Sequence, residues 1–260
     1  MSRTILFLML ISFSTASMAA TDVLQFKTGV EIDGINKEWT SPLPKSHKKT
    51  GITYSVTNDL KNIFIIARIS DEKIIRQVMK NGFEIWIDKD GKKNRTSGIS
   101  YPVPVKKIID VAAIFTNTQT EEVKEVVKEP LIKGPLPDKK LRLTGYFIEN
   151  GEQPVAGCEV KVAAIIDDEG ALVYEFALPF NTFYKESLDQ DDVKTKFAIG
   201  FVVKDVELEL PKEMPQMGDM RRMAMMGGFG GGMPGGGMSA MTKTDTPEKE
   251  FWIITKPSLK

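Results

Sequence analysis

The chain has 260 residues, 42% hydrophobic and 27% charged, a make-up that suits one large all-β domain or two small ones and excludes general disorder. Its 35 basic and 35 acidic residues cancel, so there is no electrostatic footprint for nucleic acid or for an anionic membrane. One cysteine, Cys158, excludes an internal disulfide, and the single histidine, His47, lies in the polar stretch LPKSHKKTG, so a Cys/His catalytic pair has little support.

Arg3, the apolar run from Ile5 to Ile11 and the small-residue stretch ending Ser17-Met18-Ala19-Ala20 read as a bacterial-type secretory signal peptide over residues 1–19. No later stretch approaches the ~20 apolar residues needed to span a bilayer. The expectation is an exported chain, periplasmic or secreted, with one domain over 20–258.

Leu24 to Val30 is a short strand candidate, and Ile32-Asp33-Gly34 reads as a strand end turning at Gly34. Trp39 follows beside Pro42 and Pro44, as a core plug or as a ligand platform. Ile52–Thr57 and Asn62–Ile69 flank the turn formers Asn58-Asp59-Leu60-Lys61 and predict a β-hairpin. The second arm, NIFIIARI, is apolar on both faces as far as Arg68, which predicts a central strand. Ser70-Asp71 supplies an N-cap for a short helix from Glu72 to Lys80, stopped at Asn81-Gly82.

That helix leads into GFEIWIDKD, around which the chain is organised. Phe83, Ile85 and Ile87 alternate with Glu84, Trp86 and Asp88, so one face builds a core and the other offers an indole between two carboxylates. The strand ends in the turn Asp88-Lys89-Asp90-Gly91. Beyond it Pro102 and Pro104 place the segment around Tyr101 at a sheet edge or over a face. Ile108–Thr116 is a further strand, and Glu121–Lys128 is ambiguous between helix and strand.

Leu141–Ile148 and Val160–Ile166 are strands, Asp167-Asp168-Glu169-Gly170 a hairpin loop, and Leu172–Leu178 the returning strand. Phe197–Val203 and Phe251–Thr255 complete the set, with Trp252 in the last. This strand, turn, strand rhythm with one or two short helices predicts an all-β, antiparallel sandwich of two packed sheets, immunoglobulin- or jelly-roll-like. Residues 211–242 interrupt the last hairpin with a Met/Gly/Pro-rich insertion, expected to be a long disordered loop because little apolar area offsets its ordering entropy. In it Met214, Met217, Met220, Met223 and Met226 recur every third residue, a spacing of soft thioethers that suits copper(I) or a low-complexity contact surface.

The segments IDGINKEW, NIFIIARISDEK, GFEIWIDKDG, ALVYEFALPFNTF and FAIGFVV, in this order, resemble the family 9 carbohydrate-binding module and the wider DOMON-like superfamily. The resemblance implies a β-sandwich of exported bacterial proteins, often found beside glycoside hydrolase domains, with some members holding calcium. Its sugar binders grip a terminal sugar between two aromatic rings; by face and position the candidates here are Trp39, Trp86, Tyr101 and Trp252.

Sugar recognition needs a flat aromatic ring against the C–H face of a pyranose and polar groups for its hydroxyls, the combination offered by Trp86, Glu84 and Asp88. Asp71, Asp88 and Asp90 are candidate calcium ligands, although their D-x-D-G spacing places the glycine too early for an EF-hand loop. Glu84 and Asp88 as an acid/base pair would need a cleft between them, so an enzyme is not expected. The expected function is non-catalytic carbohydrate binding at the bacterial cell envelope; the alternative is an envelope interaction or copper-handling role for the Met/Gly-rich loop.

Overall fold

A computed structural model describes residues 21–103, 107–108, 131–204, 208–209 and 249–260. In chain order the strands are β1 (Asp22–Val23), β2 (Gln25–Phe26), β3 (Lys45–His47), β4 (Ile52–Asn58) and β5 (Asn62–Ile69), then helix α1 (Glu72–Asn81). They continue as β6 (Phe83–Asp88), β7 (Ser97–Tyr101), β8 (Lys107–Ile108), β9 (Gly134–Pro135), β10 (Lys140–Thr144) and β11 (Gly151–Pro154). The last are β12 (Lys161–Ile166), β13 (Leu172–Pro179), β14 (Phe197–Val203), β15 (Leu208–Glu209) and β16 (Lys249–Lys256).

These strands form a β-sandwich. One seven-stranded sheet runs β1-β16-β14-β6-β7-β10-β11 and the other runs β2-β4-β5-β13-β12-β9, with β3 also paired to β4; β8 and β15 make a separate two-stranded pair. Period-two alternation explains the layering. Phe83, Ile85 and Ile87 of β6 and Phe197, Ile199, Phe201 and Val203 of β14 point inward from the first sheet and are fully buried. They meet Ile63, Ile65 and Ile69 of β5 and Tyr174 and Phe176 of β13, with Phe83 and Tyr174 ring centres 5.1 Å apart across the interface. Each of these large side chains contributes about 1.5–3 kcal/mol by burial, and together they set the spacing of the two sheets.

The central position of β5 accounts for its apolar run. Its even-numbered Phe64 and Ile66 face away from the main core, where Trp39 covers them in a second cluster with Val173 and Ala177. The helix begins where Asp71 accepts the N–H groups of Lys73 (2.8 Å) and Ile74 (3.2 Å), and it ends at Gly82, whose φ of +89° closes the last turn. Ile74, Ile75 and Val78 turn its apolar face into the core.

Three expectations differ from the structure. Both sheets are mixed, because β1 pairs parallel with β16 and β2 parallel with β4; the N-terminal segment crosses between sheets at Leu24 and joins strands that no tight hairpin constrains it to oppose. Ser97–Tyr101 lies inside its sheet, between β6 and β10, and not at an edge: Pro102 falls just past the strand, where no ladder donor is needed. The strand predicted over Leu141–Ile148 ends at Thr144, since Gly145 (φ +73°) turns so close to Thr96 that a Cβ there would stand 1.8 Å from its carbonyl oxygen. Of the predicted strand Ile108–Thr116 only Ile108 is among the described residues, and Glu121–Lys128 and residues 211–242 lie outside them.

Candidate functional site

The outer face of the first sheet carries a row of residues set by the strand register. Trp252 of β16 stands opposite Gly200 of β14, Gly200 opposite Trp86 of β6, and Trp86 opposite Gly98 of β7. Each indole lies on the glycine beside it in the same sense along the row. A Cβ on Gly200 would come within 2.8 Å of Trp252 Cε2, and one on Gly98 within 2.5 Å of Trp86 Cε3. Glycine within a strand weakens it unless something approaches closely, and here two indoles do. Both tryptophans keep part of their surface in solvent.

Each indole has its own carboxylate two residues earlier on the same strand and face. Trp86 donates its Nε1–H to Glu84 Oε2 at 2.8 Å, and Trp252 donates its Nε1–H to Glu250. The two units, Glu84-x-Trp86 and Glu250-x-Trp252, are thus the same device built twice. Lys204 pairs with Glu84 at 3.2 Å, and Arg95 pairs with Glu250 at 2.7 Å while its guanidinium lies 5.8 Å from the centre of the Trp86 ring. Arg95 therefore ties one indole to the carboxylate of the other.

The loop that carries Arg95 is held by Asp88. Its carboxylate is fully buried and accepts the backbone N–H groups of Asp90 (2.9 Å), Lys92 (2.9 Å) and Asn94 (2.8 Å). Glu84 is 7% exposed, so the polar face of β6 is mostly covered, and its carboxylates act through neighbouring groups.

The structure divides the sequence-derived candidates among three places. Trp86 and Glu84 belong to the row with Trp252. Tyr101 points into the core, where it meets Tyr174 edge-on and donates to the Asp138 carbonyl at 2.9 Å; burial pushes its hydroxyl up to about 12. Trp39 lies on the other sheet. Its Nε1–H donates to Glu175 Oε1 at 2.6 Å, while Glu175 Oε2 accepts Gly34 N (2.8 Å) and Asp33 N (3.1 Å). Burial raises the pKa of Glu175 against these three donors, which lower it. Trp39 thus fastens the IDG turn over β5 and β13.

Two of the calcium candidates share a turn and the third stands at the start of the helix. Asp71 caps α1, Asp88 holds its own loop, and Asp90 pairs with Lys89 at 3.5 Å. Among the described residues no three His, Cys, Asp or Glu side chains are grouped to hold a metal. Met214, Met217, Met220, Met223 and Met226 lie outside the described residues. A cavity of 230 Å³ between β1, β2, β4 and β16 is lined by Asp22, Lys45, Tyr54 and Thr255 and includes none of the candidates. No helix among the described residues is long and apolar enough to cross a membrane.

The sequence places Trp252 in the last strand, and only the register of β14 joins it to Trp86. The signal was present: the spacing Glu-x-Trp recurs, and Gly98 and Gly200 interrupt otherwise regular strands. Comparison of the chain with protein-family models and with curated proteins gives no match.

Proposed function

We propose that this protein binds carbohydrate without transforming it, on the outer face of the first sheet, with Trp86 and Trp252 as the stacking surfaces. The observation that carries this reading is the shared row in which both indoles lie flat on glycines. An indole lying along a sheet offers a broad apolar plane, the shape complementary to the C–H face of a pyranose, and its cost in conformational entropy on binding is small because the glycine beneath already fixes it. Glu250, Arg95 and Lys204 supply acceptors and donors around the rings for sugar hydroxyls, while the buried Glu84 holds the Trp86 indole and Lys204 in place. The leader-like sequence of residues 1–19 supports action outside the cytoplasm, at the cell envelope, and the resemblance to the family 9 module favours the same ligand class.

Electrophoresis through gels cast with soluble β-glucan, xylan or galactomannan tests the reading. The mature protein is expected to be retarded by at least one of them, with Trp86→Ala and Trp252→Ala restoring the mobility seen without polysaccharide. Equal mobility of the intact protein in every gel contradicts it.

A further inference from the structure

Resting on the carbohydrate reading, we infer that the ligand is an extended, β-1,4-linked chain lying across the strands, engaged through alternate sugar units. Trp252 lies on Gly200 and Trp86 lies on Gly98, so the two rings are displaced in the same direction by one strand each. Their separation is then that of β14 from β7, with β6 between them: two strand spacings, about 10 Å. In an extended β-1,4-linked chain successive pyranoses turn over, so every second ring presents the same face, and two units span a comparable length. One indole would stack on the first sugar of a triplet and the other on the third.

The polar groups repeat with the same period. Glu84 and Glu250 stand opposite Val202 from its two sides, so they too are two strands apart, and each sits beside its own indole. Arg95, whose guanidinium lies over the Trp86 ring 5.8 Å from its centre and pairs with Glu250, crosses this gap and would give way as a sugar stacks on Trp86. A terminal-sugar site would instead need two rings facing each other across one pyranose; these lie side by side on one sheet. A helically coiled α-linked chain cannot keep two rings on this straight row.

Calorimetric titration of the mature protein with cello-, xylo- and manno-oligosaccharides of two, four and six units, and with the matching malto-oligosaccharides, tests this. For one β-1,4-linked series the affinity is expected to rise about tenfold or more between the disaccharide and the tetrasaccharide, as the second indole is engaged, and little thereafter. Trp86→Ala and Trp252→Ala should each return the tetrasaccharide to the disaccharide level. Trp86→Phe and Trp252→Phe, which keep a ring on the glycine, should give intermediate affinity if the alanine variants fail to fold. Saturable binding that is independent of chain length, or equally strong for the α-linked series, overturns the extended-chain inference and leaves the carbohydrate reading standing. No binding to any saccharide overturns both.

Discussion

The indole of Trp86 rests on the backbone of Gly98 across the β6–β7 pair, leaving no room for even a methyl group between them. Gly98 is not in a left-handed conformation, so its backbone would accept alanine, and the nearest atoms that oppose it belong to the indole. Gly98→Ala is therefore expected to destabilise the fold by about 1–3 kcal/mol in urea titration, the usual cost of overpacking, and to weaken sugar binding by displacing the ring. In Gly98→Ala/Trp86→Ala the alanine has nothing to strike, so the two effects on stability should be strongly non-additive. Additive effects would place the indole elsewhere.

Trp39 predicts the opposite separation of stability from binding. Trp39→Phe leaves Glu175 Oε1 buried without its donor and should cost about 1–3 kcal/mol. Because Trp39 covers the second sheet, affinity for saccharide should be unchanged, and a loss of binding by this variant would move the site to the wrong side of the sandwich.

Asp88 joins the two concerns. Asparagine has a single acceptor oxygen, so Asp88→Asn sets its amide against N–H groups that Asp88 accepts from Asp90, Lys92 and Asn94. Loss of order in the loop that carries Arg95 should lower saccharide affinity several-fold, about 1 kcal/mol, while both indoles remain. Calorimetry on this variant at a temperature where it is folded is the check; unaltered affinity would show that Arg95 plays no part.

Alkaline pH should unfold the protein through its buried tyrosines. Burial raises the hydroxyls of Tyr101, to about 12, and of Tyr146 and Tyr174, all above the ordinary 10.0. A pKa raised on folding stabilises below the unfolded value and loses that contribution as pH rises toward the folded one, so stability holds up to about pH 10 and falls beyond it. Each tyrosine adds about 1.4 kcal/mol per pH unit to that slope. Among the described residues the buried Tyr174 hydroxyl has no hydrogen-bond partner, so Tyr174→Phe should be neutral or stabilising at pH 7 and flatten the fall between pH 10 and pH 12. Urea titrations at pH 7, 9 and 11 measure both.

Much of this architecture was legible because burial imposes a period on each strand. Phe83, Ile85 and Ile87 announced a core face, NIFIIARI a strand covered on both sides, and Asp71 with Gly82 the limits of the helix. Where the pattern depended on long-range company it was silent. GEQP has no alternation because β11 is an edge strand with exposed side chains, and only pairing with β10 makes it a strand. Glu84 and Asp88 stand on the face of β6 that the sequence leaves outside the core, yet they are buried, since an indole and a loop fold over them. Tyr101 and Trp39 looked equivalent to Trp86 as aromatic candidates, and only the register of β7 with β6 and the bond to Glu175 assign one to the core and the other to the far sheet. The pairing of Trp86 with Trp252 across 166 residues of sequence follows from β14, which lies between them.

The most direct measurement is the intrinsic tryptophan fluorescence of the mature protein and of its Trp39→Phe variant during titration with the tetrasaccharide of each β-1,4-linked series. Stacking a sugar on Trp86 and Trp252 should give a saturable change in both proteins with the same midpoint, and the change should shrink when either Trp86 or Trp252 is replaced by phenylalanine. A saturable change that disappears with Trp39 alone, or no change with any saccharide, would contradict a binding platform on the outer face of the first sheet.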